Sequence, residues 1–158
     1  MADHRVAFVT RCMAVSLLAT LLLSGCSSEP SSADPGEIGG GELTGVTWVL
    51  DRPSMRTLTH ESAPADARID IVFDGSRVGG HAACNSYFGS YTADEGDGTL
   101  AFSELGSTQK ACDDSLMQLE SAYLTALSKF TTYVVVGDQF GLVLLGGNTS
   151  VTFSPETH

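Results

Sequence analysis

Two histidines, His60 and His81, lie away from the chain ends, and a hydrolytic site would need one of them beside a serine and a carboxylate. The Gly-x-Ser-x-Gly turn that exposes a nucleophilic serine does not occur in the sequence, so a triad would have to be assembled from distant residues. The run Asp94-Glu95-Gly96-Asp97-Gly98 offers carboxylate oxygens of the kind calcium takes about six to eight of, without the later glutamate of a helix–loop–helix calcium site. Turn chemistry alone accounts for aspartate and glycine there. Asn85, Tyr87 and Tyr91 sit at odd-numbered strand positions, where an amide and two phenols could grip a polar ligand. An asparagine after a buried cysteine also serves to satisfy backbone groups at a bend, and buried tyrosines pair their hydroxyls locally. The structural role is the expectation for these three, with no catalytic residue, metal or cofactor.

Cys26 is the other reactive candidate, and its setting gives it a different chemistry. Arg5 and Arg11 precede an apolar stretch from Cys12 to Leu23, which closes on Leu23-Ser24-Gly25-Cys26. This is the pattern of a secretory signal, and its last four residues resemble the lipobox of bacterial lipoproteins, where cleavage precedes the cysteine and acyl chains are added to it. The apolar stretch is shorter than the roughly 20 residues a membrane-spanning helix needs. Residues 1–25 are therefore expected to be removed, with Cys26 lipid-anchoring the protein to the extracytoplasmic face of the cell membrane. Of the 8 lysines and arginines two precede Cys26, and of the 19 acids only Asp3 does, which leaves a net charge of −12 on the remainder. Such a surface disfavours nucleic acid and electrostatic docking on anionic lipid.

Removal of Cys12 and acylation of Cys26 leave Cys84 and Cys112 as a pair in an oxidising compartment, and a disulfide between them is expected. Closing a loop of about 30 residues would contribute roughly 3 to 4 kcal/mol. Two free buried thiols are the rival reading. A zinc pair lacks a second pair of ligands at the usual spacing.

The elements that must position these residues follow from composition and periodicity. Residues 26–42 hold the anchor cysteine and a Ser/Pro/Gly/acid tether with little to bury, spanning about 20 to 25 Å r.m.s. if flexible. A single domain over 43–155 comes next, expected to act as a monomer. Val46–Leu50 reads as a strand carrying Trp48, and Asp51–Asp66 as a long loop holding His60. Arg68–Phe73 and Arg77–Cys84 form a hairpin about Asp74-Gly75, with His81 on its outward face. Asn85–Thr92 and Thr99–Phe102 continue the sheet. Asp114-Ser115 opens a helix with Gln118 completing a capping box, and Leu116, Leu119, Tyr123, Leu127 and Phe130 form its apolar stripe. Thr131–Val136, Phe140–Leu145 and Ser150–Phe153 are the remaining strands. The expected fold is mainly antiparallel β, a small closed or partly open barrel with one packed α-helix.

The segments Gly79-Gly80-His81-Ala82-Ala83-Cys84-Asn85-Ser86-Tyr87-Phe88-Gly89-Ser90-Tyr91 and Thr108-Gln109-Lys110-Ala111-Cys112 resemble the META domain, also called HslJ-like or DUF306. That domain opens with Leu-x-Gly-x-x-Trp, matched by Leu43, Gly45 and Trp48. Its later part includes a helix with Glu before an aromatic and leucines, matched by Glu120, Tyr123, Leu124 and Leu127. The likeness spans residues 43–153, with Ala83 where many members carry glycine. It implies a small β-rich fold with a helix, found in bacterial envelope lipoproteins and associated with stress tolerance, without established catalytic residues. Trp48, Gly79, Gly80, Asn85, Tyr87, Gly89, Tyr91 and Thr108 are its motif positions here, structural or binding. The functional expectation is a non-catalytic envelope stress or interaction module whose partner is an envelope protein or ligand. The alternative is a small-ligand carrier with a barrel cavity, which an interior filled by Trp48, Phe73, Phe102 and the helix stripe would count against.

Overall fold

The computed structural model describes residues 41–137 and 140–157; the signal segment, Cys26 and nearly all of the tether lie outside them. Within the described residues, eight strands run β1 (Thr47–Leu50), β2 (Asp70–Asp74), β3 (Arg77–Ala82), β4 (Asn85–Asp94), β5 (Thr99–Ser107), β6 (Thr132–Val136), β7 (Gly141–Gly146) and β8 (Thr149–Pro155). Each pairs antiparallel with the next, and β8 returns to β1 to close a barrel. Closure follows from the alternation of the strands: Trp48 and Leu50, Ile69, Ile71 and Phe73, Leu142 and Leu144, Val151 and Phe153 are all buried inward positions. The axis is filled by these side chains together with Tyr87, Tyr123 and Tyr133. Phe102, half-buried, packs against the Phe73 ring at 6.3 Å between centroids.

Two helices are present where one was expected. The first, α1 (Arg52–Thr59), occupies half of the segment read as a loop. Asp51 caps it by accepting from the Ser54 N–H at 2.7 Å, and a proline stands in the first turn, where its missing donor costs nothing. Met55 is buried, and the Ser54 hydroxyl accepts from the Thr152 N–H at 2.8 Å, which ties α1 to β8. His60 therefore sits at the left-handed C-cap (φ 61°) rather than in a free loop. Arg52 holds the chain beyond α1 in place, donating to the carbonyls of Pro64 at 2.8 Å and Ala63 at 2.9 Å.

The second helix, α2 (Asp114–Leu127), buries Leu119, Tyr123 and Leu127 and packs on α1. The expected capping box does not form: the cap is Asp113, with no side-chain bond, which places Ser115 inside the first turn where it cannot act as N-cap. Phe130 is buried but lies beyond the helix. No helix among the described residues is long and apolar enough to cross a membrane.

The up-and-down order gives the barrel two unlike ends. The turns β2–β3, β4–β5 and β6–β7 lie at one, the hairpin end, with the Gly41 approach to β1. Both helices and the β3–β4 and β7–β8 turns lie at the other, the helix end. One seam is loose. β5 pairs with β6 only at Thr99↔Thr132, where β4 and β5 pair along most of their length.

Candidate functional site

Asn85, Tyr87 and Thr108, with Gly80 beside them, come together toward the helix end, and Trp48 and Tyr91 do not join them. β3 turns into β4 through Ala83 (φ 64°) and Cys84, so that Ala82, Ala83, Cys84 and Asn85 are all buried and the strand alternation is broken. Cys84 is disulfide-bonded to Cys112, Cα to Cα 6.0 Å, which brings the segment before α2 against this turn. Asn85 fills the space between. Its Oδ1 accepts from the Lys110 N–H at 2.7 Å and the Thr108 hydroxyl at 2.8 Å. Its Nδ2 donates to the Glu120 carboxylate at 3.1 and 3.2 Å, and to the Lys110 carbonyl at 3.3 Å. Its backbone N–H donates to Glu120 Oε2 at 2.8 Å. Thr108 Oγ1 in turn accepts from the Ser86 N–H at 3.2 Å. One buried side chain thus joins the β3–β4 turn, the loop before α2 and α2 itself, and a buried amide with all its groups partnered fixes one arrangement of the three.

Below this the phenols of Tyr87 and Tyr123 share a hydrogen bond of 2.8 Å, and Tyr87 donates to the Asp70 carbonyl at 3.1 Å. Burial pushes the Tyr87 phenol well above its usual range, and the neighbouring Tyr123 adds to that. Burial does the same to Tyr123, outweighing the opposing bond to Tyr87. The glycines make room: a Cβ on Gly80 would overlap the Asp70 carbonyl, and one on Gly79 would stand 3.1 Å from the Tyr87 carbonyl oxygen. Gly89 faces a bulge in which Glu104 and Leu105 oppose it alone, with Leu105 Cδ2 at 2.8 Å from the Cβ position.

Other candidates lie apart. Tyr91 is buried near the hairpin end, its ring edge-on to Phe73 at 4.8 Å. Trp48 is fully buried and donates from Nε1 to the Leu43 carbonyl at 3.1 Å. The half-buried His81 donates its backbone N–H to Asp70 Oδ1 at 3.0 Å. The acidic turn uses its own carboxylates: Asp94 Oδ1 accepts from the Gly96 N–H at 2.8 Å, and Asp97 Oδ1 from the Thr99 N–H at 2.9 Å. The bonds from Thr99 hold the Asp97 carboxyl below its usual range. Among the described residues no group of three or more His, Cys, Asp and Glu side chains is placed to share a metal ion.

Glu120 carries a role the periodicity did not show. Besides holding Asn85, it lines a surface groove of about 620 Å3 between α2 and the end of β5, with Leu105, Gly106, Met117, Leu124 and Ser128. The groove opens where β5 has left β6 and α2 lies alongside it. Met117 on its wall is 45% exposed, and Phe88, 56% exposed, lays its ring beside Gly106. The sequence signal was a charged residue in line with helix positions otherwise facing the core.

The barrel is similar to several solved structures. An NMR structure of a protein from Burkholderia xenovorans is 27% identical, with a TM-score of 0.58 over 73% of this chain and 85% of that one. A second NMR structure (19% identity, TM-score 0.52, 71% of this chain and 90% of that one) shares the fold. So does the crystal structure of a DUF4847 family protein from Bacteroides vulgatus (16% identity, TM-score 0.50, 73% and 96%). No curated protein matches this chain. The META domain matches residues 41–158, and on that extent the chain belongs to the META domain family.

Proposed function

We propose that this protein is a non-catalytic recognition module of the bacterial envelope, anchored to the extracytoplasmic face of the cell membrane by acyl chains on Cys26, and that it binds another envelope protein in the groove between β5 and α2. The observation that carries this reading is the double position of Glu120, which holds the Asn85 network and lines the groove. The motif residues thereby shape a surface as well as a core. Asn85, Thr108 and Tyr87 direct their polar atoms to one another, to Glu120 and Tyr123, or to backbone, which supports a positioning role for them. The filled axis, with Trp48, Phe73, Tyr123 and Phe153 buried along it, favours binding on the surface over the small-ligand carrier with an internal cavity.

The test is a photocrosslinking side chain at Met117 in intact cells, with one at exposed Ser150 as control. A discrete crosslinked species from 117 and none from 150 is expected; equal labelling from both positions, or none from 117, removes the groove from the reading. The address is tested separately by Cys26→Ala, expected to release the protein from the membrane fraction. Retention of that unacylated variant on the membrane defeats the anchor.

A further inference from the structure

The chain reaches the barrel at the hairpin end, and it does so against one particular hairpin. Tyr133 on β6 donates its hydroxyl to the Gly41 carbonyl at 3.1 Å, and a Cβ on Gly41 would stand 2.9 Å from Val135 Cβ. The same strand continues to Val136, 51% exposed, and the turn back into β7 carries Phe140, 77% exposed. The Phe140 N–H donates to the Val136 carbonyl at 3.0 Å, which closes the turn that both residues flank. Among the described residues Phe140 is the most exposed large apolar side chain, and nothing in its own fold covers it.

The length of chain ahead of Gly41 says what could. Between Cys26 and Gly41 lie residues 27–40, and a random coil of that length has an r.m.s. span of about 20 Å. A barrel tethered through that length keeps the hairpin beside Gly41 within reach of the bilayer that holds the acyl chains. We propose that Val136 and Phe140 are a lipid-contact element, seated at the headgroup–acyl boundary of that bilayer, so that the barrel stands on its hairpin end and presents the groove away from the membrane. This rests on the Cys26 anchor proposed above. The surrounding charge defines the contact: Glu42, Asp74, Asp94, Glu95 and Asp97 outnumber Arg77 at this end, and the sequence adds Asp138 between Val136 and Phe140, so the attraction is apolar and anionic headgroups oppose it.

The experiment uses the acylated protein as it leaves the cell, beginning at Cys26 and with its acylation verified by intact mass, in phosphatidylethanolamine–phosphatidylcholine vesicles. An environment-sensitive fluorophore is placed on Phe140→Cys and, as a control at the opposite end, on Asn148→Cys. Brominated acyl chains are expected to quench the label at 140 about fivefold more than at 148, because quenching follows depth in the bilayer. Adding phosphatidylglycerol is expected to weaken the quenching at 140. Equal quenching at the two positions in protein that floats with the vesicles overturns the lipid contact and leaves the anchor standing. Protein that carries no acyl chain and does not float overturns the anchor, and the contact with it.

Discussion

The two ends of the barrel meet the same requirement, reversing the chain between antiparallel strands, by different means. At the hairpin end the turns are short and local. Asp94 and Asp97 each bond to backbone within three residues, and Gly75 supplies the positive φ of 58° between β2 and β3. At the helix end the β3–β4 turn is buried under a loop from 25 or so residues away and a helix beyond that, so its polar groups cannot reach water. Asn85, Thr108, Glu120 and the disulfide answer that burial, and Gly79, Gly80 and Gly89 allow the backbones to approach. Recognisable motif therefore accumulates where distant segments must be satisfied together, while the simple turns leave almost no signature beyond aspartate and glycine.

If that contrast is right, the largest stability loss should come from Asn85→Leu. The change keeps bulk but removes partners from Lys110 N–H, the Thr108 hydroxyl and the Glu120 carboxylate. With one to three kcal/mol typical for a buried group left unpaired, the loss should be about 4 kcal/mol, read as a lower urea midpoint. A loss like that of an exposed hairpin-end residue such as Thr92→Leu would erase the difference between the ends. The disulfide comes next: Cys84→Ala with Cys112→Ala opens a closed segment of sequence separation 28 and should cost about 3 kcal/mol. Combined with Asn85→Leu its effect should fall short of the sum, since both hold the same loop to the same turn.

Much of the fold is legible in the sequence because its signals are local. The alternation of Ile69, Ile71 and Phe73, the Asp74-Gly75 turn and the stripe Leu119, Tyr123, Leu127 identify the hairpin and α2 from the sequence. The first helix escapes a periodicity reading, since it is only eight residues long and offers just Met55 and Leu58 as large apolar positions, though Asp51 shortly ahead of a proline is a usable cap signal. Closure of the barrel is invisible locally, because the β1–β8 pairing joins residues about a hundred positions apart. The groove is less legible still. It arises from the absence of β5–β6 pairing beyond Thr99, which no periodicity within either strand records.

The four tyrosines divide between the ends and sharpen the comparison through pH. Tyr87 and Tyr123 bond to each other at the helix end, and burial raises both phenols. Tyr91 and Tyr133, near the acidic turn, are also raised by burial, with Glu95 adding to each. A folded value above the unfolded one means the native state keeps its proton longer. The contribution is thus complete below the unfolded value of about 10 and lost as pH rises through the folded range, at up to about 1.4 kcal/mol per pH unit for each phenol. Urea midpoints at rising pH should therefore fall above pH 10 or so, and Tyr87→Phe with Tyr123→Phe should flatten that fall more than Tyr91→Phe with Tyr133→Phe. The opposite ranking would place the stronger desolvation at the hairpin end.

The smallest effects test the turns directly, by exchanging their residues in opposite directions. Gly75 and Ala83 both hold positive φ, 58° and 64°, one in the open hairpin turn and one in the buried β3–β4 turn. For a residue with a Cβ this region costs about 1 kcal/mol. Gly75→Ala meets no atom within 4 Å of the new Cβ, so its loss should be that backbone cost alone, about 1 kcal/mol. Ala83→Gly relieves the same strain but gives up a methyl that is 7% exposed and frees the unfolded chain, which offsets part of the gain. The expected outcome is a loss of about 1 kcal/mol at Gly75 and a gain of less than about 1 kcal/mol at Ala83, by thermal and urea unfolding together. A loss at Ala83 as large as that at Gly75 would show that packing of its methyl, rather than backbone strain, decides this turn, and that the helix end tolerates a left-handed alanine because it buries it.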